Sequence, residues 1–188
     1  ALEPVRTAEQ LAAGNAAVEE FKSYLRDLIA RKRREPPDAR GIDVLWALIE
    51  ASEEGEEGEG LTELEILHNS IFMLNAGHDT TGALIANGVD LLFRHPTQAA
   101  RLREDPSLIK SAIEEMLGFE SPLQIGNRRT TVPLTLGGVD LPAGTFLHLA
   151  IAAANRDPAE FPDPDCFDVG RTPNRHLAFA HGIHTCAG

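Results

Sequence analysis

The chain has 188 residues, which is enough for a hydrophobic core, and 43% of them are hydrophobic, which excludes general disorder. Its formal net charge of −12 disfavours nucleic acids and anionic membrane surfaces as partners, because their phosphates would be repelled. The two cysteines form no paired motif, and no signal peptide or membrane-spanning stretch is recognisable. We therefore expect a protein of a reducing, cytoplasmic compartment.

The first half of the sequence predicts helices. Thr7 and Gln10 have the spacing of a capping box, apolar residues follow at helical intervals, and the prolines at 36 and 37 end this first helix. A second helix is predicted over residues 42–51. The acidic, glycine-rich stretch 53–60 is typical of a flexible, exposed loop.

A much longer helix is predicted from Thr62 to Arg94. It begins with a second capping box, Thr62 with Glu65, and the pair His95-Pro96 ends it. A helix of about 33 residues is about 50 Å long, because each residue adds about 1.5 Å. Apolar side chains occur on nearly every face of this helix, so we expect its middle to be buried.

The second half predicts two shorter helices, near 97–103 and 107–117, followed by a little β-structure. Segments 131–136 and 139–141 flank a Gly137-Gly138 turn and predict a hairpin, to which residues 145–151 can add a strand. Residues 155–179 are rich in Pro, Asp and Arg without periodicity, which indicates a long loop. Long ordered loops usually have a function, so we expect one here. The predicted fold class is mainly α with a small β-hairpin or sheet.

Cys186 lies between Gly182 and Gly188 near the end of the sequence, with His184 close by. Glycines permit backbone conformations in which amide N–H groups stabilise a thiolate. A single thiolate without a companion cysteine or a nearby carboxylate is a poor zinc site, whereas haem iron needs one protein ligand. The alternative interpretation is a buried, inert cysteine.

The stretch AGHDTT, residues 76–81, lies midway along the long predicted helix. Gly77 has no side chain, so a flat ligand or dioxygen can approach the helix backbone there. Asp79 and the Thr80 hydroxyl together form a pair suited to proton delivery. The alternative is a helix kink in which Asp79 has a satisfied partner.

Three motifs occur in the order found in the cytochrome P-450 family, the haem-thiolate monooxygenases, and resemble that family's motifs. The pattern Phe-x-x-Gly-x-His-x-Cys-x-Gly over 179–188 resembles the cysteine-ligand loop, and AGHDTT resembles the oxygen-activation motif. Glu115 matches the glutamate of the family's Glu-x-x-Arg helix. Residues 155–179 are similar to the meander that precedes the ligand loop in the soluble bacterial type.

The resemblance implies a partial cytochrome P-450 fold with a long central helix, in one incomplete domain over residues 1–188. It implies haem b as the cofactor, Cys186 as the iron ligand, and Asp79 and Thr80 as catalytic residues that deliver protons. Arg128, His176 and His184 match family positions that contact the haem propionates. The cofactor-binding residues implied by the resemblance are Gly77, Arg128, His176, Phe179, His184, Cys186 and Gly188.

The activity implied is insertion of one oxygen atom of dioxygen into a small organic substrate, with a ferredoxin or flavoprotein reductase as electron donor. The substrate is not readable from the sequence, although Ala83, Leu84 and the segment 123–126 are candidate pocket residues. The alternative function is a degenerate or truncated, non-catalytic remnant that at most binds haem or acts as an interaction module. A peroxide-using enzyme is disfavoured, because peroxide chemistry does not need proton delivery by Asp79 and Thr80.

The sequence departs from the family pattern at Gly118, which stands where the Glu-x-x-Arg helix has its arginine. In the family, that arginine and the glutamate form a buried network with a meander arginine, which corresponds here to Arg171. We expect Glu115 and Arg171 to stay paired, although Gly118 could instead end its helix as a left-handed cap. The resemblance begins near Thr7 and stops with the ligand loop, so we expect a C-terminal-side fragment of the family's domain.

Overall fold

The computed structural model describes residues 7–36, 43–53 and 60–188, and the chain divides into two compact units, the first ending at Ala76 and the second beginning at Gly77. The helices are α1 (Ala8–Lys32), α2 (Val44–Glu53), α3 (Glu63–Arg94), α4 (Pro96–Glu104), α5 (Ile109–Phe119) and the short α6 (Ile151–Ala154). The strands are β1 (Ile125–Arg129), β2 (Leu134–Leu136), β3 (Val139–Leu141) and β4 (Phe146–Ala150). The predicted class, mainly α with small antiparallel sheets, is confirmed.

Both predicted capping boxes are present. At the start of α1 the Gln10 N–H donates to Thr7 Oγ1 at 3.2 Å, and the Thr7 N–H donates to Gln10 Oε1 at 2.8 Å. At the start of α3 the Thr62 N–H donates to Glu65 Oε2 at 2.8 Å, and the Glu65 N–H donates to Thr62 Oγ1 at 3.3 Å. Because these bonds satisfy N–H groups that a first turn leaves without partners, the local sequence is enough to locate both starts.

Two other predictions in the first half are tested only in part. The second helix begins at Val44, where the sequence predicted a start at residue 42, and it continues to Glu53. Residues 37–42 and 54–59 lie outside the described residues, so the proline at 37 and most of the acidic, glycine-rich loop stay predictions.

In the first unit, α1, α2 and the first turns of α3 share a hydrophobic core. Asp43 fixes the start of α2, because its Oδ1 accepts the Trp46 N–H at 2.9 Å while its Oδ2 accepts from Lys32 Nζ at 2.6 Å. The buried residues of this core are Leu25, Ile29, Trp46, Ile49, Ile66 and Leu67.

In the second unit, the C-terminal half of α3, α5 and the loop after α6 share another core, built from Leu91, Ala112, Met116, Phe167 and Val169. Helices α3 and α5 approach closely at Gly88. A Cβ atom at this position would lie 2.7 Å from Met116 Sδ, a distance that real Cβ contacts do not show. Glycine at this position therefore lets the Met116 side chain lie directly against α3.

The prediction that the middle of α3 is buried is wrong for this chain. Phe72, Met73 and Leu74 are exposed by 68%, 45% and 58%. The apolar residues of α3 that do become buried lie towards its two ends, where Ile66 and Leu67 join the first core and Leu91 joins the second. An apolar sequence all round a helix thus predicts burial only where the chain supplies packing partners.

The β-structure consists of two antiparallel pairs. Strands β2 and β3 form the predicted hairpin, and Gly137 and Gly138 adopt φ values of +58° and +79° in its turn, as a tight hairpin requires. The predicted extra strand forms as β4, but it pairs with β1 in a separate sheet and not with the hairpin, so that Ile125 faces Ala150 across the pair. Strand β1, with the sequence IGNRR, was not predicted because its residues do not alternate between apolar and polar.

After α6 the chain follows the predicted long loop, with turns but no further helix or strand among the described residues up to its end. Within residues 7–36, 43–53 and 60–188, no helix is both long enough and apolar enough to cross a membrane.

Candidate functional site

The loop that carries Cys186 is closed by backbone hydrogen bonds. The Cys186 N–H donates to Phe179 O at 2.9 Å, and the Thr185 N–H donates to Gly182 O at 3.0 Å. Gly182 has a φ of +87°, in the left-handed region that favours glycine. The Cys186 side chain is exposed, with its Sγ 3.6 Å from Gly188 O. The burial that the alternative interpretation of Cys186 expected is therefore wrong for this chain.

Ala180, in the same loop, also has a left-handed backbone, with a φ of +58°. A Cβ atom in this region approaches the following carbonyl oxygen too closely, at a cost of about 1–2 kcal/mol. Strain of this kind persists only where the surrounding structure holds the backbone in place. The closed geometry of the loop is thus maintained against the local preference of one of its residues.

An open cavity of about 560 Å³ lies beside this loop. This volume is in the usual range for ligand pockets, about 300–1,000 Å³. Strands β1 and β4, helix α6 and the loop over 177–184 form its walls, which are mostly apolar. The residues that line it are Leu123, Gly126, Arg128, Leu149, Ala150, Ile151, Ala154, Leu177, Ala180, His181 and His184.

Two of the predicted cofactor-binding residues, Arg128 and His184, line this cavity together. Arg128 is held on β1 opposite Leu147, and its Nη1 donates to Asn127 O at 2.9 Å. The neighbouring Arg129 has a different environment, since its Nε donates to Gly144 O at 3.1 Å. Alternation along the strand therefore brings only the first of the two arginines to the cavity.

Glu115 of α5 is the centre of a buried polar network. Its side chain is 3% exposed and accepts hydrogen bonds from Arg171 Nε at 2.8 Å, Asn174 Nδ2 at 2.9 Å and the Asp168 N–H at 3.0 Å. Arg171 also donates to the carbonyl oxygens of Pro162, Asp163 and Cys166. The structure thus brings Glu115 and Arg171 together, and their pairing does not require an arginine at position 118.

Gly118 lies inside α5, which continues to Phe119 and is capped by Glu120. It does not have a positive φ, so the alternative interpretation of Gly118 as a left-handed helix cap is wrong. A Cβ atom at this position would lie 3.1 Å from His176 Cβ and 3.4 Å from Asn174 Oδ1. The segment 174–176 therefore packs against α5 at a separation suited to glycine.

His176, a predicted propionate contact, lies between α5 and the ligand loop. Its side chain is 4% exposed, and its Nε2 is 2.7 Å from Glu114 Oε2. Its Nδ1 accepts the Ala178 N–H at 3.3 Å, so Nδ1 is the unprotonated nitrogen and the Nε2–H donates to Glu114. Its ring centroid is 5.9 Å from that of Phe179, and His176 is not among the residues that line the cavity.

Asp168 connects the network to α4. Its Oδ1 accepts from Arg101 Nη1 at 2.6 Å and from the Gly170 N–H at 2.9 Å. Partial burial by itself raises the pKa of Asp168, but the Gly170 N–H and the Arg101 guanidinium outweigh burial and hold this pKa below its usual value.

The motif of α3 lies on an accessible part of the helix. Gly77 is exposed, and a Cβ atom added to it would meet nothing within 4 Å. Asp79 is exposed, and Thr80 is half-buried. Asp79 is therefore in contact with solvent in this chain.

Sequence reasoning missed several walls of the cavity. His181 and Leu177 line it, as do residues of β4 and of the four-residue helix α6, whereas the lining residues of β1 and Leu123 were among the candidates. The alternation of FLHLA in β4 indicated a strand, but no local pattern indicated which segment pairs with it. The left-handed backbone of Ala180 also has no signal in the sequence, because alanine is not typical of that conformation.

Comparison with known proteins matches this chain to one family. The family model described as "Cytochrome P450" matches residues 7–188. The chain is 45% identical over 175 residues to the vitamin D(3) 25-hydroxylase of Pseudonocardia autotrophica, an alignment that covers 93% of this chain and 42% of that protein. It is 39% identical over 183 residues to the biotin biosynthesis cytochrome P450 of Bacillus subtilis, covering 97% of this chain and 44% of that protein.

Solved structures agree. P450BioI in complex with an acyl carrier protein has a TM-score of 0.86 at 38% identity, covering 97% of this chain and 45% of that one. CYP109E1 from Bacillus megaterium with testosterone has a TM-score of 0.86 at 35% identity, covering 95% of this chain and 48% of that one. The chain thus spans less than half the length of these relatives. On its motifs, its fold and these similarities, it belongs to the cytochrome P450 family, whose members bind haem b.

Proposed function

We propose that this chain provides the cysteine-ligand side of a haem-dependent monooxygenase, which inserts one oxygen atom of dioxygen into a small organic substrate. The observation that carries the proposal is the position of Cys186. Its thiol is exposed on a loop closed by its own backbone bonds, next to a largely apolar cavity lined by Arg128 and His184. A single thiolate ligand, an apolar surface and two cationic or donor groups are what a haem with two propionates requires.

The residues of the chain fit haem b in distinct roles. Cys186 would be the iron ligand, with Phe179 and Gly188 flanking it in the loop. Arg128 and His184 would bind the propionates, since both line the cavity and both carry N–H donors. His176 would support the ligand loop without lining the cavity, because its two ring nitrogens are engaged by the Glu114 carboxylate and the Ala178 N–H.

Haem, when bound, supplies the oxygen-activating and electron-transfer chemistry. The residues of this chain would bind and orient the haem and would deliver protons to the site. The Asp79 carboxylate, exposed to solvent, would relay a proton to the Thr80 hydroxyl, one residue further along α3, and that hydroxyl would donate its own proton onward as it accepts the new one. Gly77 would leave room for dioxygen beside the helix backbone, since apart from the surrounding helix itself no described residue lies within 4 Å of where its Cβ would be.

The partners follow from this reaction. A ferredoxin or a flavoprotein reductase would supply electrons, and a small organic molecule would be oxidised. The names of the relatives point to different substrates, such as vitamin D(3) for one and a hexadecenoic acid on an acyl carrier protein in another complex. The proposal therefore extends to the substrate class of small organic molecules and no further.

Carbon monoxide binding tests the proposal. The purified protein is loaded with haem, reduced and exposed to carbon monoxide, and a strongly red-shifted Soret band is expected from thiolate ligation. The Cys186→Ser variant should lose this band, whereas the matched Cys166→Ser variant, which alters an exposed cysteine outside the ligand loop, should keep it. A band that survives in Cys186→Ser would overturn the assignment of the ligand.

The second candidate, a non-catalytic remnant, is favoured by one observation. Gly118 replaces the arginine that the family resemblance leads one to expect in α5. The same experiment separates the two functions, because a remnant that does not bind haem gives no Soret band in any variant. A band without turnover of dioxygen in the presence of an electron donor would support a remnant that binds haem.

A further inference from the structure

The side chain of Asn155 has an unusual buried environment. Asn155 follows α6 directly and is 4% exposed. Its Oδ1 accepts the Leu177 N–H at 2.7 Å, but its Nδ2 is buried without a hydrogen-bond partner among the residues that the structure describes. The amide cannot be turned over, because Nδ2 would then face the Leu177 N–H, donor against donor. Nδ2 therefore needs an acceptor at its present position.

A small cavity lies at this side chain. It leaves about 10 Å³ for the centre of a water molecule, and one buried water requires about 10–15 Å³ by this measure. The residues that line the cavity are Glu115, Gly118, Phe119, Asn155, Phe161, Pro164, Arg171 and Asn174.

The charges around the cavity decide which occupant fits. An anion would face the buried carboxylate of Glu115, and a cation would face the guanidinium of Arg171 and the donor of Asn155. A water molecule can accept from Asn155 Nδ2 and donate to a carboxylate oxygen. Among the described residues, Glu115 Oε1 accepts one hydrogen bond, from the Asp168 N–H, so it has capacity for another.

We propose that one water molecule occupies this cavity, accepting a hydrogen bond from Asn155 Nδ2 and donating one to the Glu115 carboxylate. This water links α5 to the ligand loop, because Asn155 Oδ1 holds the Leu177 N–H and the Leu177 carbonyl accepts the Ala180 N–H at 2.9 Å. Asn155 thereby connects the cavity to the loop that carries Cys186. This inference concerns the folded chain and does not depend on the proposed monooxygenase function.

A crystal structure of the unaltered protein, at a resolution where buried waters are visible, is the direct test. The expected result is a single water peak at about 2.7–3.2 Å from both Asn155 Nδ2 and a Glu115 carboxylate oxygen. A cavity without density, density that fits an ion, or a protein acceptor on Nδ2 would each overturn the proposal. Uptake of xenon into this cavity under pressure would also contradict it, because xenon enters dry, apolar cavities.

A solution measurement provides a second test. Oxygen-17 relaxation dispersion counts long-lived internal waters, and the Asn155→Leu variant should have one fewer than the unaltered protein. Asn127→Leu is the matched control, because Asn127 is exposed on β1 and its replacement should leave the count unchanged. Equal counts in all three proteins would overturn the proposal, and the crystal structure decides it if Asn155→Leu does not fold.

Discussion

The Glu115 network and the middle of α3 differ in burial, because the residues that the structure describes supply partners for the first and not for the second. Glu115 is 3% exposed, and three donors from the loop after α6 satisfy its carboxylate. The middle of α3, by contrast, leaves Phe72, Met73 and Leu74 largely exposed. The chain thus buries the charged Glu115, whereas it leaves the apolar side chains in the middle of α3 exposed to water.

The difference lies in where the partners of each region occur in the sequence. The donors to Glu115 come from residues 168–174, which the chain itself supplies, and they satisfy the carboxylate even though position 118 is glycine. The apolar middle of α3 has no comparable cover among the described residues. Burial therefore follows the available partners, and neither the hydrophobicity nor the charge of a residue decides it alone.

The largest expected effect is the loss of Glu115. Glu115→Ala removes one partner of a buried ion pair and leaves Arg171 without its carboxylate, so the free energy of unfolding should fall by about 3–5 kcal/mol. Denaturant unfolding of the protein measures this loss. The control is Glu114→Ala, since the Glu114 side chain is 51% exposed, although its partner His176 is buried. Similar losses of unfolding free energy in the two variants would contradict the view that the burial of Glu115 makes its loss more costly than that of Glu114.

Two leucines of α3 compare its buried and exposed parts directly. Leu67 is 1% exposed and Leu74 is 58% exposed. Leu67→Ala should lower the free energy of unfolding by about 2–5 kcal/mol, because it leaves a cavity in the first core. Leu74→Ala should change it by less than about 0.5 kcal/mol, as exposed substitutions do. A Leu74→Ala loss equal to that of Leu67→Ala would show that the middle of α3 is covered.

Ala180 offers a smaller and opposite effect within the ligand loop. Ala180→Gly relieves about 1–2 kcal/mol of left-handed strain, and the greater freedom of glycine in the unfolded chain offsets about 0.4–1 kcal/mol of this. We expect a net gain near 1 kcal/mol in thermal or denaturant unfolding. Ala178→Gly is the matched control: Ala178 does not have a positive φ, so glycine should destabilise the protein there. A loss in both variants would argue against strain at Ala180.

The smallest effect is the pH dependence contributed by Asp168. The pKa of Asp168 in the folded protein lies below its usual value of 3.8. Its contribution to stability is therefore fully present above that value and is lost as the pH falls through the lower, folded-state pKa. Asp168→Asn should flatten the acid limb of the stability profile. An acid limb that Asp168→Asn leaves unchanged would contradict the lowered pKa of Asp168.

Much of the fold was predictable because its determinants are local. The capping boxes at Thr7 and Thr62 fix two helix starts through bonds between residues three apart, and the Gly137-Gly138 turn fixes the hairpin. Strand β1 was not predictable from IGNRR, because its hydrogen-bond partner, β4, lies about twenty residues later in the chain. The cavity walls from β4, α6 and Leu177 escaped prediction for the same reason.

The sequence by itself determined the helices, the hairpin, the family motifs and the candidate residues from Gly77 to Gly188, because spacing and turn chemistry act between near neighbours. Only the tertiary structure decided that Arg128 and His184 line one cavity, that Glu115 is satisfied by Arg171 and Asn174, and that Asn155 has a buried donor without a protein acceptor among the described residues. These outcomes depend on contacts between residues far apart in the chain. The geometry and burial of such contacts are set when the segments pack, and no local pattern encodes them.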